Sequence, residues 1–259
     1  MSSASSFVPL ILVGLLGLAY GLAVCRLQNR SQQWSHWRTL SFAAGTLLLF
    51  LALLPRVMQV AHHDFRGHMV QHLLIGMLAP LGLVLGAPLT LAFMVLPRNI
   101  ARRLSAALRS SFFHWLSHPV SAFVLNIGGM ALLYLTPLFT ASLTHPALHY
   151  LIHLHFLLAG YLFTWAMVGP DPAPKRPRLR YRAVVLFLSM ASHAYLSKFL
   201  YAYQWPRQTP YPQEQLQAAA KLMYYGGDFA ELLLTIVLFT LWYQKRGRKA
   251  YELPLLSNS

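Results

Sequence analysis

Twelve histidines carry most of the chemistry that this sequence offers. They fall into clusters. His62, His63, His68 and His72 lie within eleven residues, and His145, His149, His153 and His155 lie within another eleven. His68 and His72 stand at i, i+4, while His145, His149 and His153 stand at i, i+4, i+8, so in helices each set shares one face. His155 is two residues past His153 and leaves that face. Imidazoles one turn apart can hold one metal ion from a single helix, and imidazole suits copper, zinc, iron and nickel. Met69 and Met77 add soft sulfur that favours Cu(I), although methionine is also ordinary membrane filler. The expected metal set is His68, His72, His149 and His153, with His63 and His193 in reserve. His62 and His63 are expected in a loop, dispensable or at most an entry point. The bland alternative for each histidine is an interfacial side chain bonded to water and lipid headgroups.

Two acidic residues share the interest of the histidines. Asp228 and Glu231, at i, i+3, fall inside a long apolar run. Ionisable groups at such depth are costly and mark function by default. They are expected to orient histidine ligands or to carry protons, with His193 and Lys198 as possible partners. An internal ion pair or hydrogen-bond network is the structural alternative. A single cysteine, Cys25, excludes an internal disulfide and the paired thiolates of a zinc ribbon or a cysteine-based metal carrier.

The elements that must position these residues are membrane helices. The chain has 259 residues, of which 56% are hydrophobic and 10% charged. Mean hydropathy is +0.47. A soluble domain carries roughly 25% charged residues, and several apolar runs here reach the ~20 residues that a helix needs to cross a bilayer. Hydropathy predicts one all-α domain over residues 1–259 with seven spans, near 7–24, 40–54, 68–96, 119–139, 146–168, 181–203 and 216–243. The third is long, with Pro80 and Pro88 as kink sites. Asn126, Gly128 and Gly129 in the fourth suit close helix packing. The start, 1–6, lacks a basic segment, so the first span is expected to be a retained anchor.

Net charge is +15. The basic residues sit in short connections, which points to membrane orientation rather than nucleic-acid binding. Of the 21 Lys and Arg, 16 fall in the first, third and fifth connections and the tail, 244–259. The positive-inside bias then places the tail in the cytoplasm and the N-terminus outside. The histidine clusters fall at the outer face, His193 falls deeper, and His36, His114 and His118 fall inside. Between spans three and four, Ile100, Leu104, Leu108 and Phe112 recur at i+4 with arginines on other faces. That pattern predicts an amphipathic helix on the inner leaflet.

Several of these residues carry a family resemblance. His68-Met-Val-Gln-His72 is followed by Ala79-Pro80 and by Leu85-Gly86-Ala87-Pro88. Downstream come His118-Pro119, His153 with His155 and Gly160, then Gly169-Pro170-Asp171-Pro172, and finally Met190 with His193. The set resembles the CtaG family of caa3-type cytochrome c oxidase assembly factors over about residues 40–245. One departure stands out: the Asp-Gln pair usual before span seven is replaced by Gln215-Leu216-Gln217-Ala218, which leaves any role of that Asp to Glu214 or Asp228.

The resemblance implies a multi-pass protein of a bacterial inner membrane, acting as an assembly factor rather than an enzyme. Oxidase subunits or other assembly factors are its expected partners, and copper its expected metal. A bis-histidine haem oxidoreductase is the second possibility, because paired histidines on two helices suit axial ligation. A copper or proton-coupled transporter ranks third, since Met-rich and Cys-Pro-Cys features are absent.

Overall fold

The computed structural model describes residues 7–172 and 176–256. Met1 to Ser6, which bear on the retained-anchor expectation, and Lys175 with the side chains of Lys245, Arg248 and Lys249, which bear on orientation, lie outside the described residues. Every regular element among the described residues is helical. Five helices are long and apolar enough to cross a membrane, and up to seven spans result if each of two bent helix pairs is one span.

The N-terminal helix α1 (Val8–Gln28) packs on α2 (His36–Ala52). Pro55 follows directly on the expected second span. It opens a further helix, α3 (Pro55–His63), bent by 55° from α2. Proline suits this first position, where its missing N–H costs nothing. His62 and His63 are therefore helical, which corrects the expected loop. Asp64 then accepts a hydrogen bond from the Arg66 N–H (2.8 Å) and starts α4 (Phe65–Leu73). The Arg66 side chain also binds this carboxylate and holds it below the usual aspartate range.

The expected long third span is broken in two places. After α4 the chain widens into a π turn (Leu74–Leu78), where the Ala79 N–H reaches the Leu74 carbonyl. Pro80 lies just beyond and has no N–H for the Gly76 carbonyl four residues back. The widened turn accommodates that defect. Helix α5 (Ala79–Leu85) follows, and the chain then turns sharply at Gly86 and Ala87, the latter in the left-handed region (φ 49°). Pro88 opens α6 (Pro88–Val95). The Tyr20 hydroxyl donates to the Gly86 carbonyl (2.8 Å) and fixes this turn from α1.

The amphipathic segment forms as two helices, α7 (Arg98–Leu108) and α8 (Ser111–Leu116). Ser110 caps α8 by accepting from the Phe113 N–H (3.2 Å), so Phe112 belongs to the second helix. The fourth span is likewise bent: α9 (Pro119–Tyr134) meets α10 (Leu138–Thr144) at 72°. Three long helices complete the fold, α11 (Pro146–Val168), α12 (Leu179–Tyr203) and α13 (Gln213–Leu256).

Helix α11 is the hub. It packs against α9, the π turn, α5 and α13. Its closest approach is at Gly160, where a Cβ would lie 1.9 Å from the Gly76 carbonyl oxygen. Only glycine lets the two backbones meet there. Asp171 ties the far end of α11 to α6. Its buried carboxylate accepts from the Thr90 N–H (2.7 Å), the Thr90 hydroxyl (2.6 Å) and the Leu89 N–H (3.3 Å). The Gly169–Pro172 motif thus acts as a helix cap.

Two outcomes test this account. Gly160→Val should destabilise the bundle by at least the ~1–3 kcal/mol typical of overpacking, read as earlier thermal unfolding in detergent, whereas Gly14→Ala, with nothing within 4 Å, should not. Asp171→Ala should cost ~1 kcal/mol or more as a lost helix cap, with a Tm below that of wild type.

Candidate functional site

The bundle end that carries α3, α4 and the start of α11 gathers most of the histidines. The i, i+4 spacing on α11 places the His149 and His153 rings with centroids 4.2 Å apart, nearly perpendicular at 83°. The bend at Pro55 carries the α3 terminus over them, so the His62 ring lies 4.4 Å from His149. A continuous file His62–His149–His153 results, running from a half-buried position into the core. His149 Nε2 and His153 Nδ1 are buried without a hydrogen-bond partner. Leaving such nitrogens bare is costly, so they have bonding capacity to spare.

His68 and His72 share the buried face of α4, as their spacing predicts. An aromatic cage surrounds them. Phe65, fully buried, lies parallel to His68 at 5.7 Å and meets Tyr134, Phe139 and Tyr211 as well. His68 Nε2 is 3.2 Å from the Tyr134 hydroxyl, which also reaches Met69 Sδ at 3.6 Å. His72 packs on Phe156 of α11 at 4.6 Å, and both its ring nitrogens lack a partner. Spans three and five therefore touch, through this pair and through Gly76 and Gly160.

The remaining predicted residues lie elsewhere. His63 is exposed and takes no part in the file. His145 leaves the α11 ladder: it precedes the helix, is exposed, and its Nδ1 sits 2.9 Å from the Thr144 hydroxyl. His155 reaches across to the Leu125 carbonyl of α9 (3.2 Å). His193 is fully buried on α12 and presses on α13, where a Cβ at Gly227 would lie 2.0 Å from its ring. Both its nitrogens also lack partners.

Glu231 is 2% exposed, with Oε2 unpartnered. It lines a cavity of about 20 Å³ with Asn126, Thr164 and Gly160, room for about one water. The suggested partners do not pair with it. Lys198 lies over the Tyr224 ring at 5.2 Å, and among the described residues the one ion pair is Asp64–Arg66. Asp228 is only half-buried.

Among the described residues, no group of three or more His, Cys, Asp or Glu side chains is arranged to hold a metal ion as it stands. The nearest approach is the His149–His153 pair with His62 beside it.

Sequence reasoning undervalued His62 and missed Tyr134, Phe65 and Tyr211. A signal for His62 was present: Pro55 as a helix opener and Asp64 as a cap bracket a helix that contains it. Tyr211 has no such local signal. Its hydroxyl donates to the His62 carbonyl (2.8 Å) from 149 residues away.

The chain is similar over 188 residues to uncharacterised proteins of Mycobacterium bovis and Mycobacterium tuberculosis, each 34% identical. An uncharacterised protein of Mycobacterium leprae is 33% identical over 191 residues. Each match covers 70% of this chain, which spans only about 28% of the length of these relatives. No solved structure matches. Residues 18–245 match the sequence profile of the cytochrome c oxidase caa3 assembly factors, Caa3_CtaG. With the match running from α1 through the spanning part of α13 and taking in both histidine clusters, the chain belongs to the cytochrome c oxidase caa3 assembly factor family.

Proposed function

We propose that this chain binds copper at its histidine end and passes it on during assembly of the oxidase. The observation that carries this reading is the file His62–His149–His153, with buried, unpartnered nitrogens on its two inner members. Imidazole suits copper in either common oxidation state. His149 and His153 would hold the ion, His62 would receive it at the half-buried end, and His68 would stand behind the cage wall. An incomplete ligand set suits cargo that must leave again, whereas structural metal sites are closed by four ligands. The receiving partner would be an oxidase subunit or another assembly factor, met at the outer face of a bacterial inner membrane. In this role the chain acts as a carrier or scaffold rather than as an enzyme. His193 and Glu231 lie apart from the file and are not assigned to copper.

Joint replacement His149→Ala with His153→Ala should leave the protein inserted but remove its bound copper and lower oxidase maturation. Unchanged copper stoichiometry in that variant would refute the site. His62→Ala should weaken copper affinity by roughly 10-fold or more, while the exposed neighbour variant His63→Ala should match wild type in the same titration. The purified protein should show no Soret band; a stoichiometric Soret absorption lost in the double variant would favour haem over copper.

A further inference from the structure

The copper reading uses nothing at the opposite end of the bundle, where the arginines collect. There α7 borders an open cleft of about 690 Å³, lined also by Phe93 of α6 and by Pro172. Arg98, Arg102 and Ser105 line it from α7, and Arg109 from the C-cap position just after it. Their spacing of i, i+4, i+7, i+11 puts all four side chains within roughly 60° of one helix face. We propose that this cleft binds the phosphate headgroup of an anionic membrane phospholipid.

Charge complementarity carries the choice of ligand. Three guanidinium groups share one concave surface, and none of them forms an ion pair among the described residues. The nearest acidic residue in sequence to the cleft wall, Asp171, already accepts three hydrogen bonds from Thr90 and Leu89 and forms no ion pair with these arginines among the described residues. Guanidinium binds phosphate oxygens bidentately, and the Ser105 hydroxyl supplies a further donor. A lysine cluster would read as diffuse surface charge, but aligned arginines beside a hydroxyl form a directional anion site.

Position selects a lipid over a soluble phosphate. The same short segment exposes Ile100 (45%), Phe112 (70%) and Trp115 (62%), large apolar groups that suit the acyl boundary of a bilayer. With those groups inserted, the arginine cleft stands at headgroup depth, and Phe93 offers an apolar wall to the first carbons of the chains. Basic pockets of this kind recognise anionic headgroups. The bound lipid would lock α7 to the α6–Pro172 corner that Asp171 already caps.

The test is lipid retention by the whole protein in neutral detergent, read by native mass spectrometry. Phosphatidylglycerol competes with phosphatidylcholine, and sodium phosphate is run separately. Wild type should prefer phosphatidylglycerol. Arg98→Gln, Arg102→Gln and Arg109→Gln together should reduce that preference by ~10-fold or more. A charge-matched control, Arg26→Gln with Arg30→Gln and Arg180→Gln, should retain it. Equal preference in the cleft variant would overturn the proposal, as would an equal loss in the control. Displacement of the lipid by millimolar phosphate would also overturn it, by showing a site for a free anion. If the triple variant does not fold, Arg102→Gln alone is read by the same criteria.

Discussion

The approach of Gly160 to the Gly76 carbonyl organises this molecule. Pro80 deprives that carbonyl of its helical donor, the backbone widens into a π turn, and Gly160 permits α11 to close on the defect. Without this contact, α4 and α11 would stand apart by at least a side chain. Their histidines would then belong to separate helices rather than to one end of a bundle. His72 against Phe156 lies one turn away on each helix and depends on the same closeness. In lipid, where apolar burial gives little drive for helices to associate, such small-residue contacts do much of the joining.

The histidine end combines two environments that oppose each other energetically. His68 and His72 are enclosed by aromatic rings, which exclude water and stiffen the site. His149 and His153 are as deeply placed, and they, like His72, keep bare nitrogens. A bundle that needed only stability would not bury imidazoles in this way, because each unpartnered polar group costs free energy that an apolar side chain would not. The half-buried His62 stands against His149, and Tyr211 pins the backbone that carries it.

The opposite end follows a different logic. A chain with 21 basic and 6 acidic residues cannot pair its charges internally. It spends Asp171 on capping α6, and it turns Arg176 inward to the Gly169 and Asp171 carbonyls beside Trp165. The arginines of α7 form no ion pair among the described residues. The longer mycobacterial relatives carry the similar stretch within a much larger protein.

Much of this was legible from the sequence. Long apolar runs must become helices in a bilayer because no other open backbone arrangement satisfies its own hydrogen bonds, so the helical class and the spans near 146–168 and 181–203 followed directly. The face shared by His149 and His153 is likewise a covalent consequence of helical pitch. The bends were less legible. Pro55, Pro80 and Pro88 announced interruptions, but whether a proline kinks, widens or restarts a helix depends on what packs against the freed carbonyl. His145 left the ladder for a local reason, because Pro146 opens α11 just after it. The choice of His62 over His63 and the Tyr134 hydroxyl beside His68 were decided by tertiary structure alone. Each depends on the angle between helices or on a partner tens of residues away, and periodicity along one helix holds no information about either.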